Sequence, residues 1–120
     1  MKFFIDIEID PLLKDAINQT VLYYACREGK FRCTKYLVEY GCPINEKDLY
    51  QQTPIFYACR EGYLDIVDYL IEKGADINLE DKFGQNCLFY SIKEDHMEIV
   101  DYLANKVSYY KHNKLLLIYF

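Results

Sequence analysis

TPIFYACREGYLDIVDYLIEKGADIN, residues 53–78, is echoed 33 residues upstream and again 33 residues downstream. With Asp15, Asp48 and Asp81 in one column, Thr20 falls on Thr53, Ala25 on Ala58, Gly29 on Gly62 and Gly41 on Gly74. Residues 15–47 and 48–80 agree at 15 of 33 positions; 48–80 and 81–113 agree at 11, all before Val107. The third copy therefore loses the pattern at about Lys106. A fixed period of this length marks one supersecondary unit stacked on copies of itself.

Physical chemistry accounts for the unit. Thr53 and Pro54 suit an N-cap and a first helical position. Ala58 and Cys59 are small and let a neighbouring layer approach. Gly62 stands where a first helix must stop, because glycine enters left-handed backbone at little steric cost. Leu64, Ile66, Val67, Leu70 and Ile71 then follow helical spacing, so a second helix with one buried face is expected, ending at Gly74. Residues 75–85 lack that periodicity and read as a turn or short hairpin.

This order of residues resembles the ankyrin repeat, Asp-x-x-Gly-x-Thr-Pro-Leu-His-x-Ala followed by Gly and Ile-Val-x-x-Leu-Leu-x-x-Gly-Ala-x-x-Asn. The resemblance covers roughly residues 15–106. It implies an all-α solenoid of stacked helix–turn–helix units, with β-hairpin fingers projecting between successive pairs. The chain divides into an N-terminal cap (1–14), repeats at 15–47 and 48–80, an incomplete repeat at 81–106, and a divergent C-terminal cap or tail (107–120). Within 1–14, Phe4 and Ile5 align with Leu37 and Val38 as in a truncated helix, the alternation around Asp6 and Glu8 reads as a strand, and an irregular apolar flap is the reading adopted. The tail is expected to fold over the third copy; continuation of the fold past Phe120 and a partner contact are the other readings. Tyr23, Phe56 and Phe89 replace the family's histidine, which puts its loop hydrogen bond in doubt. The finger glycine survives only at Gly84, with Asn18 and Gln51 in its place elsewhere, and Asp95 replaces the glycine between helices in the third copy.

The 120 residues allow one domain, and a hydrophobic content of 52% is enough for a core. A net charge of −5 without a Lys/Arg cluster argues against nucleic-acid binding. No apolar run approaches the ~20 residues of a membrane span, and Asp6, Glu8 and Asp10 break what would be a signal peptide. Cys26, Cys33, Cys42, Cys59 and Cys87 form no C-x-x-C pair and are expected to be reduced, which points to the cytoplasm or nucleus. No metal or cofactor is expected, and a monomer is favoured. No Gly-x-Ser-x-Gly, phosphate-binding glycine loop or His-Glu-x-x-His is present. His96 reads as structural, and carboxylates three apart, such as Asp65 and Asp68, as a solvated helix face. No enzyme is indicated.

Two surfaces remain. Arg27-Glu28, Arg60-Glu61 and Lys93-Glu94 recur at the period, at the end of the first helix, and should form a basic column beside an acidic one. They either pair between layers or serve as a polar ruler for an extended partner. The resemblance places Leu49, Tyr50, Gln52, Lys82, Phe83 and Gln85 on exposed finger positions, matched by Ala16, Ile17 and Gln19 in the first copy. Ile17, Tyr50 and Phe83 make an apolar column that either stacks on itself or anchors a partner. Tyr24, Tyr57 and Tyr90 read as core, and Tyr36, Tyr69 and Tyr102 as packed between layers with hydroxyls at the surface. The resemblance implies a non-enzymatic adaptor-like module that binds a protein partner through fingers and concave groove. The rival readings are a regulatory or targeting domain of a larger kinase, methyltransferase or acyltransferase, and a methyl-lysine reader with a cage of Tyr50, Phe83 and Glu61.

Overall fold

A computed structural model describes residues 10–109, with side chains through Lys106. Residues 1–9 of the expected N-terminal cap and residues 110–120 of the expected tail lie outside the described residues. What is described is all-helical, in three antiparallel pairs: α1 (Val21–Arg27) with α2 (Phe31–Tyr40), α3 (Pro54–Glu61) with α4 (Leu64–Glu72), and α5 (Cys87–Lys93) with α6 (Met97–Tyr109). The short first helices stack as an inner row in which α3 packs against both α1 and α5; α4 likewise lies between α2 and α6.

The apolar columns of the sequence become the core. Leu22, Ile55 and Leu88, one period apart, are all buried, as are Ala25 and Ala58, whose lack of bulk lets the inner helices approach. Burial of a side chain the size of Leu or Ile stabilises by about 1.5–3 kcal/mol. Gly29 and Gly62 carry φ of 72° and 89°, and each is also covered by an aromatic ring of the following pair. A Cβ at Gly29 would lie 2.6 Å from the Tyr63 ring, and one at Gly62 would lie 2.6 Å from the His96 ring. His96 Nε2 also donates to the Arg60 carbonyl at 2.9 Å, so its role is structural. Asp95 takes the same left-handed turn at φ 62°.

Three expectations are corrected. Among the described residues the fingers contain no strand. Each is a tight turn, with Asp48 N–H donating to the Gln52 carbonyl at 2.8 Å and Gln51 N–H to the Asp48 carbonyl at 2.9 Å; Asp15 and Asp81 begin the same turn. Single backbone bonds join successive fingers, Leu49 N–H to Ile17 O at 3.0 Å and Lys82 N–H to Tyr50 O at 3.1 Å. A carboxylate closes each turn from within, and this leaves too few free backbone groups for a ladder. Second, Thr53 occupies the N-cap position of α3 without a side-chain cap bond, and its hydroxyl, like that of Thr20, is buried with no partner among the described residues. Asn86 does cap, its Oδ1 accepting from Phe89 N–H at 3.0 Å. Beyond the point where the repeat pattern fades, α6 runs on past Lys106 to Tyr109. Val107 stands where Gly41 and Gly74 end the other outer helices, so the stop signal is missing. Third, Tyr24 is 52% exposed rather than core, because no layer precedes it among the described residues.

Other columns behave as expected. Tyr69 and Tyr102 pack between outer helices, and Tyr102 donates to Asp68 Oδ1 at 2.6 Å. Tyr23 restores by hydroxyl what the family's histidine would supply: it donates to the Glu46 carbonyl of the neighbouring loop. The five cysteines are free thiols, four of them buried. Burial pushes the Cys42 thiol up to about 11, with Asp10 adding to it.

Candidate functional site

The inner helices and the finger turns enclose a groove of about 580 Å³. The chain makes it by a simple spacing. Tyr24 and Arg27, and likewise Tyr57 and Arg60, are one helical turn apart, so each of these tyrosines lies beneath the arginine that follows it. Stacking then interleaves the pairs. The Arg27 guanidinium lies 5.7 Å from the Tyr24 ring and 5.8 Å from the Tyr57 ring. Arg60 lies 5.0 Å from Tyr57 and 4.9 Å from Tyr90. All four are within cation–π range. A Tyr–Arg–Tyr–Arg–Tyr ladder thus crosses all three layers.

Beneath the ladder, a polar relay ties each finger to the layer before it. Asp48 Oδ1 accepts from the Tyr50 and Gln52 N–H groups, at 2.9 Å and 3.0 Å. Its Oδ2 accepts from Gln19 Nε2 at 2.8 Å and from the Tyr57 hydroxyl. One period later, Asp81 Oδ1 accepts from Phe83 and Gln85 N–H, and its Oδ2 accepts from Gln52 Nε2 and the Tyr90 hydroxyl. Burial would raise the Asp81 pKa; the bonds from Tyr90, Gln85, Gln52 and Phe83 more than offset it and hold the carboxyl below its ordinary value. Burial and the Asp81 carboxylate together push Tyr90 up to about 12, against a smaller opposing effect of Arg60. Burial, with the Asp48 carboxylate next, also raises Tyr57, so both phenols stay protonated donors at neutral pH. Gln52 completes the relay by accepting from Arg60 Nη2 at 3.0 Å through its Oε1.

The structure brings most of the expected site residues to this one groove. Ile17, Tyr50 and Phe83 line it from the fingers, with Gln52 and Gln85 at the finger bases; Arg27, Arg60 and Lys93 line it from the helices. Leu49 and Lys82 are exposed at the fingertips outside the lining, and Glu61 is exposed outside it as well. Gln52 is not exposed, as the resemblance implied, but 4% accessible, and Gln19 is equally buried, because both amides are consumed in the relay. Gln85 is half-buried. The basic and acidic columns do not pair between layers among the described residues; Arg27 meets Glu28 of its own layer at 3.7 Å. Tyr50 and Phe83 make no ring–ring contact; the Lys82 ammonium lies between them, 5.4 Å from one ring and 5.3 Å from the other. The cage imagined for methyl-lysine is thus supplied with the chain's own cation and lacks Glu61.

Sequence reasoning missed the floor of the groove. Tyr57 and Tyr90 are buried in the core as expected, at 5% and 9% exposure, and with Phe89 they also line the groove. The Tyr-x-x-Arg spacing, repeated at the period, was the signal available. A second hollow of about 360 Å³ continues the trough past Arg27 to Tyr24 and Asp15. Among the described residues there is no cluster of His, Cys, Asp and Glu that could hold a metal ion, and no helix long and apolar enough to cross a membrane.

A family model described as ankyrin repeats (3 copies) matches residues 1–81. The match takes in the segment 1–14 and ends where the third copy begins, while α5 and α6 lie beyond it. No curated protein matches the chain.

Proposed function

The chain belongs to the ankyrin-repeat family, and on that premise we propose that it is a non-enzymatic module that binds an extended segment of a partner protein along the groove and its finger rim. Repeats of this family are generally protein–protein interaction modules and typically not enzymes. One observation carries the finer reading: Tyr50 and Phe83, exposed by 41% and 66%, stand on the same groove as Arg27, Arg60 and Lys93. Aromatic side chains and arginine are the anchors that protein interfaces favour. The scaffold beneath them is held by the finger relay, so little ordering cost falls on binding. Such a module serves as an adaptor, and its unpaired thiols suit a reducing setting, cytoplasm or nucleus.

Affinity capture with wild type beside the Tyr50→Ala/Phe83→Ala variant tests this. Removing two hot-spot aromatics should cost about 2 kcal/mol or more and deplete captured partners at least roughly tenfold. The rings are exposed, so both proteins should melt alike. Equal recovery of the same partners by both proteins would rule out the finger rim as the anchor.

A further inference from the structure

We propose that the groove selects an extended peptide with acidic side chains at every third position, one carboxylate seated on Arg60 between Arg27 and Lys93. This rests on the groove being a protein-binding site, and it names the chemistry of what binds.

The charge balance is the first support. Of the charged side chains lining the groove, Arg27, Arg60 and Lys93 are cations and Glu94 is the one anion, with Glu28 outside the lining 3.7 Å from Arg27, in a chain whose net charge is −5. A basic trough on an acidic protein steers anionic segments and disfavours others.

The second support is how the arginine is held. Arg60 is stacked between Tyr57 and Tyr90 and fixed by Gln52, yet it meets no carboxylate among the described residues. The nearby carboxylates are already committed. Both oxygens of Asp48 and both of Asp81 accept two bonds each within the relay. The Gln52 amide lies between Arg60 and Asp81 and bonds to both. A planar guanidinium oriented in advance, with donors to spare, fits a carboxylate fork to fork at reduced entropic cost.

Spacing is the third. The cations repeat once per layer, and stacked helices lie ~8–10 Å apart. A polyproline-type extended chain rises about 3.1 Å per residue with three residues per turn, so every third side chain faces the same way about 9.3 Å apart. Positions i, i+3 and i+6 of such a peptide would meet successive rungs. A β-strand, which alternates every second residue, would not keep that register.

Selection of a random peptide display library on wild type tests the proposal. Enriched sequences should carry Asp or Glu at every third position. A synthesised winner should lose affinity about tenfold or more when its central Glu is changed to Gln, and similarly on Arg60→Gln or Arg27→Gln. Arg32→Gln, an exposed charge on α2, should leave affinity unchanged. The peptide-side change reads the contact without touching the protein's fold. Neutral or basic winners, or acidic ones indifferent to Arg27→Gln and Arg60→Gln, overturn the acidic assignment while leaving a protein-binding groove. If wild type enriches no peptide, both readings fall.

Discussion

Gln51 turns its finger at φ 63°, where Gly84 does the same work at 75° and Asn18 at 64°. Left-handed backbone strains a side chain with a Cβ by about 1–2 kcal/mol, and asparagine tolerates it better than glutamine. Gln51 is exposed, so it has no packing to lose. Gln51→Gly should therefore raise stability by about 0.5–1 kcal/mol, the strain relieved less the entropy glycine adds to the unfolded chain. Gln51→Ala keeps the Cβ and should shift stability by under about 0.5 kcal/mol. Urea unfolding of the two variants beside wild type reads this directly. Equal midpoints for Gly and Ala would show that the finger carries no strain. The left-handed turn itself was legible from Gly84 in the matching column; that a glutamine bears it was not, because the column names the position rather than its backbone angles.

A finger is held by one carboxylate more than by its own backbone. Asp81 takes four hydrogen bonds across three elements, its own turn, the finger of the preceding repeat and α5. Its pKa is depressed in the folded chain, from an ordinary value of 3.8. The stability it contributes is accordingly present above the unfolded pKa and is lost as pH falls through the folded one. Asp81→Asn leaves Gln52 and Tyr90 with an impaired acceptor. It should cost about 1.5–3 kcal/mol at neutral pH, the range for buried bonds to a charged group. The gap between wild type and Asp81→Asn should begin to narrow as pH falls below the carboxyl's ordinary value, where the unfolded chain protonates first, and close as pH passes through the lower folded value. Denaturant midpoints at several pH values measure the gap, and a pH-independent gap would refute the charged role. Here the sequence was misleading in an instructive way. The helices were legible because apolar spacing and the small residues Ala25 and Ala58 encode burial directly. Gln52 looked like surface because an amide at a turn usually is. Its burial depends on an aspartate 29 residues later and a tyrosine 38 residues later, a coincidence that local pattern does not express. The exposure of Tyr50 and Phe83 was readable for the opposite reason: both are large apolar side chains at finger positions, where the Lys82 ammonium lies against both rings without burying them.

At the scale of the molecule, a stack of units makes stability depend on position as well as on chemistry. Each layer contacts its neighbours, so stability is approximately a sum of unit and interface contributions. Leu22, Ile55 and Leu88 offer a matched comparison, since they share one column and are exposed by 0%, 0% and 1%. Truncating any of them to alanine removes a similar buried side chain, for about 2–5 kcal/mol. The consequences should differ. Ile55 lies on α3, which packs against both α1 and α5. Ile55→Ala weakens two interfaces at once and should speed hydrogen exchange in all six helices together. Leu88 lies on α5, in the last described layer. Leu88→Ala should release α5 and α6 first, while amides of α1 and α2 keep nearly wild-type protection, because outer units open locally at lower free energy than the whole. Native-state hydrogen exchange followed helix by helix separates the two patterns. Uniform loss of protection in Leu88→Ala would mean the three layers open as one unit. In that case the Arg–Tyr ladder and the finger relay, both of which cross the layer boundaries, would be coupling the stack more strongly than the apolar contacts alone.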